Sequence, residues 1–197
     1  MKKSILITGI VSAIVTLAVA CKDDGASKEG QPVTITQDSL VKRGGYLVKI
    51  MGCNDCHSPK VFGPHGPEPD PERLLSGHPS DLPLAKIDTT ALKSWVLFNP
   101  MATATVGPWG VSFAANLTGD DTGIGKWTEA QFFKAIREGK YKGLDNSRML
   151  MPPMPWAMIS NLTDEDLRAV FLYLKSTKKV KNVVPAYMPP NQVGKQG

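Results

Sequence analysis

The sequence predicts an all-α domain: three main helices joined by long Pro/Gly-rich loop insertions. Apolar residues recur at helical spacing in three segments. Capping residues stand ahead of the second and third. Between them lie stretches too rich in proline and glycine to be helical. A chain of 197 residues, 42% hydrophobic and 21% charged, can bury one sizeable core.

The first helix is expected over 38–51, where Leu40, Val41, Leu47, Ile50 and Met51 supply the apolar side. Gly44 and Gly45 interrupt it and cost stability relative to alanine. Close approach of another helix would offset that cost. The second helix is expected over 129–139: Thr128 and Gln131 form a capping-box pattern, and Phe132, Phe133 and Ile136 form the buried stripe. The third is expected over 164–176. Thr163 is its N-cap, Asp164, Glu165 and Asp166 favour its positive end, and Leu167, Val170, Phe171 and Leu174 recur at i, i+3, i+4 and i+7. A further helical turn or two is expected around 91–98. The segment 61–83 holds six prolines and is expected to be irregular. The segment 103–119 alternates partly, which suits a short hairpin. Loops this long in a compact domain are usually functional or wrap something.

The ends divide from this domain, which is assigned residues 36–190. Residues 1–20, MKKSILITGIVSAIVTLAVA, read as a signal peptide: two lysines, a short apolar stretch, then Ala18-Val19-Ala20. Ordinary secretory cleavage and an uncleaved anchor are two readings of its end. A third is that Leu17 to Cys21 resembles the lipobox of bacterial lipoproteins, in which Cys21 carries the lipid. Residues 21–35 are polar and rich in Gly, Ser and Lys, hence a flexible tether. Residues 191–197 read as a flexible tail. The net charge of +5 is mild and its lysines are dispersed, so no nucleic-acid-binding stripe is present.

The chemistry sits in residues 53–57, CNDCH. Cys-x-x-Cys-His is the attachment motif of c-type haem. Cysteines three apart on a helical turn can each form a thioether to one porphyrin, and the next histidine then lies under the iron. A thioredoxin-type pair needs no histidine and expects a βαβ context. A zinc site needs four ligands, and only His65 and His78 remain, both in proline-rich loops. A Cys53–Cys56 disulfide is the plainest alternative, against which the histidine and the preceding helix argue. With Cys53 and Cys56 so assigned, Cys21 is the odd cysteine of three; lipidation removes the liability of a free thiol in an oxidising compartment.

The sixth ligand decides between an open iron and an electron carrier. The run RMLMPPMPWAM (148–158) offers Met149, Met151, Met154 and Met158; His65, His78 and Met101 are remoter. Met154 is preferred, because Pro152, Pro153 and Pro155 stiffen its surroundings and remove N–H groups that a dry pocket would leave unpaired. Met158 reads as core. Met151, or an iron left open, stays as the alternative.

RGGYLVKIMGCNDCHSPK (43–60), GPWGVSFAANLTGDDTGIGKWTEAQF (107–132) and MPPMPWAMISNLTDEDLRAVFLYLKS (151–176) together resemble class I c-type cytochromes. The likeness is to bacterial mono-haem types and to the cytochrome subunits of periplasmic dehydrogenases. The resemblance implies three helices around one covalent haem c, bound at Cys53 and Cys56, with His57 proximal and Met154 distal. It implies that the first and last helices cross with Gly44, Gly45 and Tyr46 opposite Phe171 and Tyr173. Gly119 departs from the Asn-Leu-Thr-Pro pattern usual at 116–119. Trp109 and Trp156 are candidates for the haem pocket, where an indole N–H can reach a propionate; Trp127 leans to packing. The expected function is an electron carrier of the bacterial periplasm, held to a membrane through Cys21. Its expected partners are a dehydrogenase, an oxidase or other cytochromes. An open-site haem enzyme or sensor, and a fixed complex subunit, are the competing readings.

Overall fold

The computed structural model describes residues 36–195. The signal peptide, the tether, Cys21 and the last two residues of the expected tail lie outside them. Helix α1 spans Gln37–Ile50 without a break at its glycines, and the Thr36 hydroxyl caps it by accepting from the Ser39 N–H. The short α2, Cys53–His57, follows. Helix α3, Glu129–Arg137, carries both bonds of its capping box. The short α4 is Trp156–Ile159. Helix α5, Asp164–Ser176, starts on the Thr163 cap.

The first and last helices cross at the glycines. A Cβ on Gly44 would overlap the Ala169 carbonyl oxygen, and one on Gly45 would sit 2.9 Å from the Tyr173 ring. The glycines therefore exist to bring two backbones together. Arg43 Nε and Nη2 lock the crossing by donating to Asp166 Oδ1 at 2.8 Å and Oδ2 at 3.1 Å. The expected opposition to Phe171 does not occur. Ala169 and Tyr173 are four apart and share one face of α5, whereas Phe171 lies about 200° round from Ala169. Phe171 packs in the core against Phe132, with ring centroids 5.2 Å apart.

The core collects Leu47 and Val48 of α1, Phe132 and Ile136 of α3, and Leu167, Val170, Phe171 and Leu174 of α5. Each such buried side chain contributes about 1.5–3 kcal/mol relative to exposure.

Two small antiparallel sheets make the molecule more mixed than the all-α expectation. Strands β1 (Lys60–Gly63) and β2 (Gly66–Pro69) form a hairpin inside the stretch expected to be irregular. Prolines are tolerated there because a two-stranded ribbon has only edges, so a missing N–H can face away from the partner. Strands β3 (Leu97–Phe98), β4 (Ala104–Gly107) and β5 (Gly110–Phe113) form the second sheet, and β4–β5 is the hairpin anticipated within 103–119. The turn expected near 91–98 is a short 3-10 helix over Ala91–Lys93 that runs on into β3.

Beyond α5 the chain returns across the loops. Asn182 Nδ2 donates to the Ser76 and His78 carbonyls at 2.7 and 2.8 Å, and its Oδ1 accepts from the Ser80 N–H at 3.0 Å. The Asn182 N–H donates to Thr122 Oγ1, and Asn116 Nδ2 donates to the Val180 carbonyl. Met188 then bridges to Val111.

Candidate functional site

Gly52, at φ +66°, ends α1 in the left-handed region and turns the chain into the CNDCH segment. Lys60 Nζ donates to the carbonyls of Asn54, Asp55 and Ser58, so a cation closes the negative end of this short helix. Cys53 and Cys56 are half-buried free thiols. Burial pushes the Cys53 thiol up to about 11 and raises that of Cys56. Redox-active dithiols instead hold a lowered thiol, so the setting does not suit thioredoxin-type exchange. Among the described residues no three His, Cys, Asp or Glu side chains are grouped to hold a metal ion. That disfavours the zinc reading.

His57 is fixed from two sides. Its Nδ1 lies 2.8 Å from the Ala115 carbonyl oxygen, and its own carbonyl accepts from the Gly77 N–H at 2.7 Å. A carbonyl can only accept, so Nδ1 carries the proton and Nε2 presents its lone pair. Burial lowers the pKa of this imidazole and favours the neutral, ligating form. Ser58, fully buried, donates to Asn54 Oδ1 at 2.7 Å and accepts from the Leu75 N–H at 2.8 Å. Leu75 in turn accepts from the Leu117 N–H at 2.8 Å. Gly77, at φ +78°, lets the loop pass within contact of Ala114 and Ala115, where a Cβ would meet backbone at 2.5 Å.

The methionine run is held differently. Pro152–Pro153 is a cis peptide. The Pro152 carbonyl accepts from Ser112 Oγ of β5 at 2.8 Å, and the Met154 N–H donates to the Met151 carbonyl at 3.2 Å. Met154 and Cys53 are both half-buried against the same core cluster. Met149 reaches Gly139, and Met151 is half-buried. Met158, expected in the core, is 62% exposed: α4 is a single turn and buries Ile159 instead. His78 engages both ring nitrogens, with Thr103 Oγ1 at 2.9 Å and the Leu82 carbonyl at 3.3 Å, and so has no lone pair to spare for a metal in this arrangement. His65 sits exposed in the β1–β2 turn.

Trp109 occupies the β4–β5 turn, and its buried Nε1–H has no acceptor among the described residues. Buried donors are nearly always paired. Trp156 lies against Gly139, and Trp127 packs on the core. The free cysteine pair, the His57 tautomer and the unpaired indole N–H all fit a covalent haem with carboxylate arms. The Ala115 carbonyl, Ser58, the 75–77 loop and Ser112 were invisible to motif reading. Backbone acceptors leave no sequence signal, and lone serines leave little.

No family model matches the chain. It is 33% identical over 137 residues to the gluconate 2-dehydrogenase cytochrome c subunit of Pantoea cypripedii, covering 69% of this chain and 23% of that protein. It is 35% identical over 160 residues to the fructose dehydrogenase cytochrome subunit of Gluconobacter japonicus, covering 79% and 26%. The cytochrome c subunit of the quinone alcohol dehydrogenase of Gluconacetobacter polyoxogenes is 35% identical over 86 residues, covering 43% of this chain and 17% of that one. The matched region thus spans about a quarter or less of these curated relatives. The chain is related to proteins named as cytochrome subunits of dehydrogenases.

Proposed function

We propose that residues 36–190 form an electron-transfer module with one covalent haem c, His57 and Met154 being the axial ligands. The observation that carries this is His57: it follows Cys53 and Cys56 on one helical turn, with its Nδ1 proton committed to Ala115 at 2.8 Å. When bound, the haem supplies a one-electron iron couple. The chain's own part is to hold that couple still and dry. Cys53 and Cys56 tether it, and Ala115 keeps the His57 ring oriented and raises its basicity. The proline-framed loop presents the Met154 thioether, a weak neutral ligand that favours the reduced state. No side chain here needs to move a proton.

The reading continues outward from the domain. Cys21 carries a lipid that tethers the module to a bacterial membrane on the periplasmic side. No helix among the described residues is long and apolar enough to cross a membrane. The electron donor is a dehydrogenase, by analogy with the relatives' names. An oxidase or another cytochrome takes the electron on.

The reduced visible spectrum tests the core of this. A low-spin, c-type spectrum that does not respond to carbon monoxide is expected. A high-spin ferrous form that binds carbon monoxide would return the open-site reading. Cys21→Ser should release the protein from membranes; retention would remove the lipid anchor. Co-purification from detergent extracts separates a fixed subunit from a shuttle.

A further inference from the structure

Lys60 stands three residues beyond His57, where α2 gives way to β1. Its Nζ donates to three backbone carbonyls: Asn54 at 3.2 Å, Asp55 at 2.9 Å and Ser58 at 2.5 Å. A carbonyl oxygen only accepts, so each of these bonds needs an N–H from the lysine. A neutral amine has two, so the group is the charged ammonium with every donor used. Among the described residues no carboxylate lies within ion-pair distance of it, whereas Lys42, Lys126, Lys134 and Lys178 each pair with one. The charge is held by the backbone of the CNDCH segment and its exit.

The last carbonyls of a helix have no partner within it. In α2 the His57 carbonyl meets this with the Gly77 N–H at 2.7 Å, and those of Asn54 and Asp55 meet it with Lys60. The lysine is also fixed through its own backbone. The Asp70 N–H donates to the Pro59 carbonyl at 2.8 Å, and Lys60 pairs with Pro69 in the β1–β2 hairpin. The half-buried side chain cannot swing away without giving up three bonds. Its charge is felt by both neighbours that matter. Burial is the main cause of the lowered His57 pKa, and the Lys60 charge pushes the same way. At Cys56, burial and Asp55 raise the thiol and Lys60 opposes them. These residues are the ones proposed to hold the haem, so the same charge acts on its iron, through surroundings that weaken it less than water would.

We infer that Lys60 is a positioning residue with an electrostatic role: it closes the attachment turn and fixes a permanent positive charge on the segment of the proximal ligand, which raises the midpoint potential. The inference rests on the haem reading above. Oxidation of the iron adds one positive charge, which the ammonium repels, so the reduced form is favoured. The electron comes from the redox partner, and no bond or proton changes at Lys60.

The test uses the full chain purified with its haem, in redox titrations at low and high salt and in denaturant unfolding. Lys60→Gln keeps N–H donors for the carbonyls and loses the charge. It should lower the reduced-to-oxidised ratio at fixed ambient potential about threefold, or about 28 mV. That shift should shrink as salt is raised. Lys60→Arg keeps the charge but not the compact three-donor ammonium, so it should hold the wild-type potential while losing some stability. Lys60→Met should match the drop in potential of Lys60→Gln and lose more stability than either. A potential that follows stability and not charge, with Lys60→Arg falling alongside Lys60→Met, would overturn the inference. So would an unchanged potential in Lys60→Gln with the low-spin spectrum intact, and both results leave the haem reading standing. If Lys60→Met fails to take up haem, the comparison of the Gln and Arg variants decides alone. A wild-type chain without a c-type spectrum would instead sink the haem reading before any variant is made.

Discussion

The two sides of the proposed haem site are built on opposite principles. The His57 side is a lattice of backbone hydrogen bonds: Ala115, Gly77, Ser58, Leu75 and Leu117 link three chain segments within a few residues of the ligand. On the Met154 side the run is tied to other segments before the ligand, by Tyr141 N–H to the Arg148 carbonyl and Leu150 N–H to the Gly139 carbonyl, and close to it by Ser112 to Pro152 together with proline stiffness. A ligand that must never leave is fixed by many weak bonds from several directions. A ligand that only completes a coordination shell is presented by a stiff loop and tolerates fewer.

This contrast can be broken at four points, in falling order of effect. His57→Ala should abolish the low-spin spectrum and lower holoprotein yield, whereas Met154→Ala should keep covalent haem and become high-spin with carbon monoxide binding. Absorption spectra of both variants decide it; equal loss of haem would erase the distinction. Ser58→Ala leaves the buried Leu75 N–H and Asn54 Oδ1 without a partner and should cost about 1–3 kcal/mol in denaturant unfolding. Ser112→Ala should cost only about 0.5–1.5 kcal/mol, while speeding displacement of Met154 by added imidazole. The smallest effect concerns Asp70. Its carboxyl is held below the ordinary range by the Arg73 guanidinium, with help from the Glu72 N–H, and its backbone N–H bonds Pro59. A depressed folded value means this contribution is complete above the unfolded carboxylate value and fades as pH falls through the folded one. Acid unfolding of Asp70→Asn should therefore show a flatter dependence in that window, with no change in methionine ligation.

The helices were legible because burial on one face writes a 3.6-residue period into the sequence, and Thr128 and Thr163 mark their starts. Gly44 and Gly45 announced a close helix crossing, but not which residues of α5 would meet them; that depended on the phase of the last helix. The β1–β2 hairpin was hidden because its prolines read as breakers, a rule that weakens where every strand is an edge. In the proposed site, CNDCH stands out because covalent attachment of a haem would demand a fixed spacing. Met154 is proposed on the strength of its flanking prolines. Ala115 contributes a carbonyl that any residue could offer, so no reading of side chains could find it.

Asn182 lies 104 and 106 residues beyond the loop positions it grips. The CNDCH motif at residues 53–57 and the clamp at residue 182 are therefore far apart in the order in which the chain emerges. The loop behind His57 gains its latch only after residue 182 has arrived. A chain stopped near residue 178 would hold every proposed ligand and still leave Ser76, His78, Ser80 and Asn116 without those partners. Synthesis thus delivers Cys53 and Cys56 well before the fastener.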